Sequence, residues 1–233
     1  MKKGYIIEAI ILAIGMTIIG FNIKGGIDNF VDKDRIVTVK GLSEREVPAT
    51  RVTWPIVSKE MGNDLPSLYT RINAKNEAII RFLTSGGISR DEIVVNPPSV
   101  YDKTAEMYEQ TNITSRYNIT SVITVTSDKV DTVRDLISRQ GELLKEGIAI
   151  LSDYSHSVQY EYQSLNEIKP EMVEEANRNA KTTAEQFAAV SDSRLGKIVT
   201  ASQGQFSIEN RDENSPHIKH IRVVTTITYR LKD

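Results

Sequence analysis

The chain has 233 residues, 39% hydrophobic and 26% charged, with 29 basic against 31 acidic side chains and a net charge of −2. That balance leaves no basic footprint for nucleic acid and no polybasic patch for lipid headgroups. The absence of cysteine excludes disulfides, thiol catalysis, cysteine–zinc sites, iron–sulfur clusters and a lipid-modified cysteine.

Residues 6–23, IIEAIILAIGMTIIGFNI, are apolar apart from Glu8. As a helix they reach about 27 Å, enough to span a hydrocarbon core of about 30 Å. Lys2 and Lys3 precede the stretch, and mostly acidic residues (Asp28, Asp32, Asp34) follow Lys24. The positive-inside rule therefore puts the N-terminus in the cytoplasm and the bulk of the chain outside. Glu8 lies in the first turns, where its carboxylate reaches the headgroups beside Lys2 and Lys3. Ala13 and Gly15 are the best small-residue pair for a signal-peptidase cut, but they leave only a short apolar region before it. The expectation is an uncleaved anchor over residues 1–24, a polar tether over 25–34 and a folded domain over 35–233. That domain retains 25 basic and 27 acidic residues, long enough for one large core or two small ones.

RIVTVKG (35–41) alternates as a strand, and REVPATRVTWPIVSKE (45–60) reads as a second. Residues 65–87 form a helix capped by Asp64, with Pro66 in its first turn. Leu68, Ile72, Ala78 or Ile79, and Phe82 or Leu83 face inward, and Gly86–Gly87 stop it. EIVVN (92–96) is a short strand before Pro97–Pro98. In 113–127, Tyr117, Ile119, Ser121, Ile123 and Val125 share one side. Asp128 is read as the cap of a second helix, with Val130, Val133, Ile137 and Leu144 as its stripe. Residues 148–164 read as a long strand with Tyr154, His156, Val158, Tyr160 and Tyr162 on one face. A third helix spans about 170–190, followed by strands at 197–209 and 218–231. The order predicts an α+β fold, with a mixed, mainly antiparallel sheet and about three helices packed on it.

In 174–203, Ala176, Ala180, Ala184, Phe187 and Ala188 recur at helical spacing. A face of alanines serves either close packing on a sheet or a seam between copies of the chain. Leu195 and Gly196 then open a strand, LGKIV. Helical alanines followed by Leu-Gly-Lys-Ile-Val resemble the C-terminal signature of the SIMPL domain, a bacterial domain of periplasmic and surface-associated proteins. RIVTVKGLSEREVPATRVTW, SGGISRDEIVV and YNITSVITVTSDKVDTVRDLISRQGELLKEGIAIL resemble its earlier segments, so the resemblance covers about residues 35–231. The chain departs from the pattern in SDSRLG, where a glycine commonly precedes Leu-Gly. The resemblance implies an α+β fold, an envelope location, self-assembly and a link to stress tolerance; it supplies no catalytic residues.

His217 and His220 lie three apart on a strand start and face opposite sides, a poor chelate. Asp153, Ser155 and His156 cannot converge as a triad from adjacent strand positions, and no G-x-S-x-G elbow occurs. No metal or cofactor site is expected. Tyr154, Tyr160 and Tyr162 are candidates for cross-strand packing or for stacking on a glycan or peptide. The Asn112 and Asn118 sequons carry meaning only in a glycosylating host. The combined expectation is a non-enzymatic envelope protein, held in the membrane by residues 6–23, that assembles with itself or with envelope partners. A ligand-binding module for a peptide, glycan or small molecule is the alternative.

Overall fold

The computed structural model describes residues 12–24, 35–106, 114–151 and 154–232. Residues 6–11 of the apolar stretch, the tether at 25–34, Asn112, Asp153 and the Tyr154 side chain lie outside the described residues. Helix α1 covers residues 12–24. It is followed by β1 (Ile36–Pro48), β2 (Arg51–Gly62), α2 (Leu65–Ser85), β3 (Ile93–Val95), β4 (Ser99–Asp102), α3 (Lys103–Glu106) and β5 (Tyr117–Ser127). Then come α4 (Val130–Ser138), α5 (Gly141–Lys145), β6 (Gln159–Glu161), α6 (Leu165–Val190), β7 (Arg194–Gln203), β8 (Ser207–Asn210) and β9 (Ile218–Lys232). The class is α+β, with antiparallel pairing and five helices after α1 among the described residues.

One sheet has four strands in the order β1-β9-β7, with β8 also pairing β9; the other has five in the order β3-β5-β2-β6, with β4 also pairing β5. The chain divides into two compact units. The first takes Met1–Arg45, Asn166–Ser207 and Ile221–Asp233; the second takes Glu46–Leu165 and Ile208–His220.

In the first unit, α6 lies on the sheet through its alanines. Met172, Ala176, Ala180, Ala184 and Ala188 are buried at steps of four. Ala180 and Ala184 form a core with Val39, Ile227 and Tyr229, joined by Val37 and Leu195. Gly41 on β1 makes the approach possible. A Cβ there would overlap the Ala176 carbonyl oxygen and stand 2.5 Å from the Ala180 nitrogen. Polar ties line the same contact. Ser43 donates to Glu175 at 2.7 Å, Arg45 to Glu171 at 2.8 Å, and the Asn179 amide to the Leu42 carbonyl at 2.8 Å.

In the second unit, β2 and β5 pair over their whole length, from Val52↔Ser127 to Gly62↔Tyr117. Trp54, Ile56, Ile123 and Val125 meet Ile79 and Leu83 of α2 and Val133 and Leu136 of α4 in the main core. Asp64 caps α2 by accepting from the Ser67 amide at 3.0 Å, with a proline in the first turn.

Helices α2, α5 and α6 end alike. Backbone bonds Ile88→Leu83 and Gly87→Thr84, Ile148→Leu143 and Gly147→Leu144, and Ser193→Ala188 and Asp192→Ala189 form the Schellman pattern each time. The left-handed residue is Gly87, Gly147 and Asp192, with φ of 96°, 76° and 52°. At the departure from the family pattern, aspartate therefore holds a conformation that favours glycine.

Several expectations are corrected. The strand expected at 148–164 shrinks to β6, plus one bridge between Val57 and Leu151 and a 3-10 turn at Tyr154–His156. Ile148, Ile150, Val158 and Tyr160 still pack on the main core, but only Gln159–Glu161 finds a strand partner, in β2. The strand expected at 197–209 is two strands, β7 and β8. Residues 45–48 extend β1 instead of opening β2, and α6 begins at Leu165 with Pro170 inside it. The second helix is broken at Arg139 and Gln140, which resets its period. Leu136 and Leu143 are buried, while Leu144 is exposed. Phe187 sits beside the buried alanine line and is exposed. The cap of α4 is Lys129; Asp128 is engaged elsewhere.

Gly41→Ala is expected to lower the stability of the first unit by about 2–3 kcal/mol, the upper part of the overpacking range, because backbone is struck. Lys40→Ala, on the exposed side of β1, should cost under about 0.5 kcal/mol. Asp192→Gly should raise stability by about 0.5 kcal/mol by relieving the left-handed residue. Denaturant midpoints of the three variants against the parent chain measure each.

Candidate functional site

The second unit holds an open polar cleft of about 580 Å³. It forms where β2 begins, β5 ends, and the turn after α2 meets the start of α4. Arg51 comes from β2, Thr126 and Ser127 from β5, Asp128 and Lys129 from the turn into α4, and Ser89, Asp91 and Glu92 from the segment after α2.

Glu92 organises the cleft. Its carboxylate accepts from Ser127 Oγ at 2.6 Å, from the Ser89 amide at 2.7 Å and from Lys129 Nζ at 3.0 Å. The Ser127 hydroxyl first, then the Ser89 amide and Lys129, outweigh desolvation and hold the Glu92 carboxyl down to about 2. Lys129 Nζ also donates to the Gly87 carbonyl at 3.0 Å, tying α4's start to the end of α2. Arg51 grips Asp128 with two bonds, at 2.7 and 3.2 Å. That fork lowers the Asp128 carboxyl and raises the guanidinium. These groups bind one another. The arrangement is a network of charge-assisted hydrogen bonds.

The tyrosine candidates are not brought together on one strand. Tyr160 is on β6, Tyr162 lies past its end, and Tyr154 starts the 3-10 turn. Tyr160 instead meets His217, edge to face, with ring centroids 6.1 Å apart at 63°. Burial raises the Tyr160 phenol and lowers the His217 imidazole. Arg134 and Arg211 lower His217 further, against Asp131 and Asp212. Among the described residues, no group of three or more histidines and carboxylates stands ready to hold a metal ion. Ala176, Ala180 and Ala184 are fully buried, the last two in a core with Val39, Ile227 and Tyr229.

Sequence reasoning missed Arg51, Glu92, Ser127 and Lys129 as a group. One local signal was present: Ser89-x-x-Glu92 has the spacing of a capping box, which the structure forms. The other partners are far apart in sequence, as with Arg51 and Asp128, 77 residues apart.

A family model described as SIMPL, protein of unknown function (DUF541), matches residues 37–228. No curated protein matches the chain.

The direction of the His217 shift sets a pH dependence. Its folded value lies below the unfolded value of 6.5, so the unfolded chain binds the proton more readily. The stability contribution is complete above pH 6.5 and is lost as pH falls through the folded value. Urea midpoints at pH 7.5 and 5.5 should differ more for the parent chain than for His217→Gln. Glu92 stays ionised throughout this range, so Glu92→Gln should lower stability equally at both values.

Proposed function

The chain belongs to the SIMPL family, and on that premise we propose that it is a membrane-anchored, non-enzymatic envelope protein. Its folded part lies outside the cytoplasmic membrane and assembles with copies of itself or with other envelope components. A role in stress tolerance belongs to the same proposal.

The surface of α1 carries the anchoring reading. Leu12, Ile14, Met16, Ile18, Ile19, Phe21 and Ile23 are 55–72% exposed, and helical spacing puts them on two opposite sides of the helix. An apolar surface of this kind needs a cover, and lipid is a cover that reaches opposite sides of one helix at once. Its polar side chains are turned inward on the helix itself: Thr17 donates to the Ala13 carbonyl at 2.7 Å and Asn22 to the Ile18 carbonyl at 2.8 Å. Such bonds satisfy polar groups where no water is at hand. Among the described residues, no helix is long and apolar enough to cross a membrane. The 13 described residues of α1 measure about 20 Å, and the apolar stretch begins earlier, at Ile6.

The non-enzymatic reading is supported by the mutual pairing of Glu92, Ser127, Lys129, Arg51 and Asp128. One observation favours the ligand-binding alternative: the cleft is roomy enough for a small polar molecule. The Tyr160–His217 pair is a second place where a peptide or glycan could stack.

The parent chain, expressed from its full gene, is expected to stay in the membrane pellet through carbonate extraction, with residues 35–233 open to protease from outside. Ile14→Arg/Ile18→Arg places two charges in the helix at about 2.5–3.5 kcal/mol each and should release most of the protein. A parent chain recovered wholly in the soluble fraction would overturn the anchor.

A further inference from the structure

No single stretch of this sequence is polybasic, but the first unit gathers cations at one end of its sheet. The register sets Arg194 opposite Lys232 and Leu195 opposite Leu231. On the other side of β9, the Leu231 amide donates to the Arg35 carbonyl at 2.8 Å. The starts of β1 and β7 and the end of β9 therefore lie side by side. Arg35, Arg194, Lys197, Arg230 and Lys232 come together there from three separate stretches. Arg35 donates to Ser193 Oγ at 3.2 Å. The other four are exposed and have no carboxylate partner among the described residues. Asp192 stands beside Ser193, and Glu185 is engaged by Lys181 at 3.7 Å. Asp34 and Asp233 adjoin this end in sequence and lie outside the described residues. With Asp34, Asp192 and Asp233 all counted, the five cations still lead. Farther along the sheet the charges are paired: Arg222 with Glu44 at 3.2 Å and Arg45 with Glu171 at 2.8 Å.

The fold leaves these cations open. The alanines of α6 meet Val39 of β1 and Ile227 and Tyr229 of β9. By alternation, Arg230 and Lys232 point to the opposite, uncovered face. A helix about 10 Å wide covers about two strands spaced roughly 4.8 Å apart, so β7 is left bare. Of its ten residues, only Leu195 and Gly196 are even partly covered. Register shifts between Leu195 and Ile198, and between Ile198 and Thr200, interrupt its edge and guard it against strand pairing. Ile36, at the same end of the sheet, is 51% exposed.

We propose that this end of the sheet docks on the anionic headgroups of the membrane that holds α1. Arg194, Lys197, Arg230 and Lys232 meet lipid phosphates, and Ile36 enters the interface between them. Charge and chain length together select this occupant. Four unpartnered cations call for an anionic partner. Only 11 peptide steps separate Lys24, at the end of α1, from Arg35, a reach of at most about 40 Å. β1 begins at the basic end, so the chain delivers that end to the lipid surface and not the charge-paired one. The proposal rests on the anchoring reading above and adds a second membrane contact to it.

The test uses the full chain in vesicles of phosphatidylcholine, with or without about 30% phosphatidylglycerol. The chain has no cysteine, so Ile36→Cys places one fluorophore at the basic end. Leu42→Cys places it on the same face of β1, about 20 Å away. Spin-labelled headgroups should quench the label at 36 at least threefold more in anionic than in neutral vesicles, and the label at 42 equally in both. Salt at about 0.5 M should erase the difference by screening. At about fivefold per cation, Arg194→Gln/Arg230→Gln/Lys232→Gln should lower the docked fraction relative to the undocked about a hundredfold. If that variant loses its far-UV circular dichroism, the lipid and salt arms on the parent chain still decide. Flotation with both vesicles but equal quenching at 36 overturns the docking and leaves the anchor standing. Flotation with anionic vesicles alone overturns the anchor and supports the docking. A chain that floats with neither overturns both.

Discussion

The contact on which the first unit depends is the approach of a helix backbone to a strand backbone at Gly41. Nothing larger than a hydrogen fits there, because the Ala176 carbonyl and the Ala180 nitrogen occupy the space. Alanines bury little area each, so such a face gives less hydrophobic free energy than leucines would. The structure offsets this with directional bonds from Ser43, Arg45 and Asn179 along the seam. Small side chains also fix the helix over β1 and β9 with little latitude for sliding. The bare state of β7 follows from the same geometry.

The second unit solves a different problem. Two short helices and a 3-10 turn must be joined to a sheet through tight corners. Left-handed residues at Gly87 and Gly147 close α2 and α5, and each places an apolar residue, Ile88 or Ile148, back in the core. The charged cleft lies beside the first of these corners. Lys129 bonds the carbonyl of the left-handed Gly87, so one ammonium joins a helix end, a helix start and Glu92. A group used in this way is structural before it is anything else.

Much of this was legible because it is written at short range. The Asp64 cap, the Gly86–Gly87 stop, the alternation of β5 and β9, and the four-residue period of the α6 alanines each need only a few neighbouring residues to be read. Residues 148–164 misled because alternation was present without a partner strand along most of its length, and a strand is held by its partner more than by its own pattern. The break at Arg139 and Gln140 carries no proline and only Gly141 beside it, so the second helix read as continuous. The cleft was invisible because its bonds join residues 35 to 77 positions apart. The exposure of β7 was invisible for another reason: its sequence is that of an ordinary buried strand, and the width of one helix decides that it is not covered.

The first unit is assembled from stretches at both ends of the chain and one from between them. The hydroxyls of Thr38 on β1 and Thr228 on β9, 190 positions apart in sequence, meet at 3.0 Å. At about 5–20 residues per second, a ribosome needs roughly 10–40 s to deliver the second after the first. For that interval β1 is a strand without its neighbour, while the second unit's long β2–β5 hairpin already has all its parts. Order of birth thus opposes order of assembly: the first unit can close only after β9 has been made.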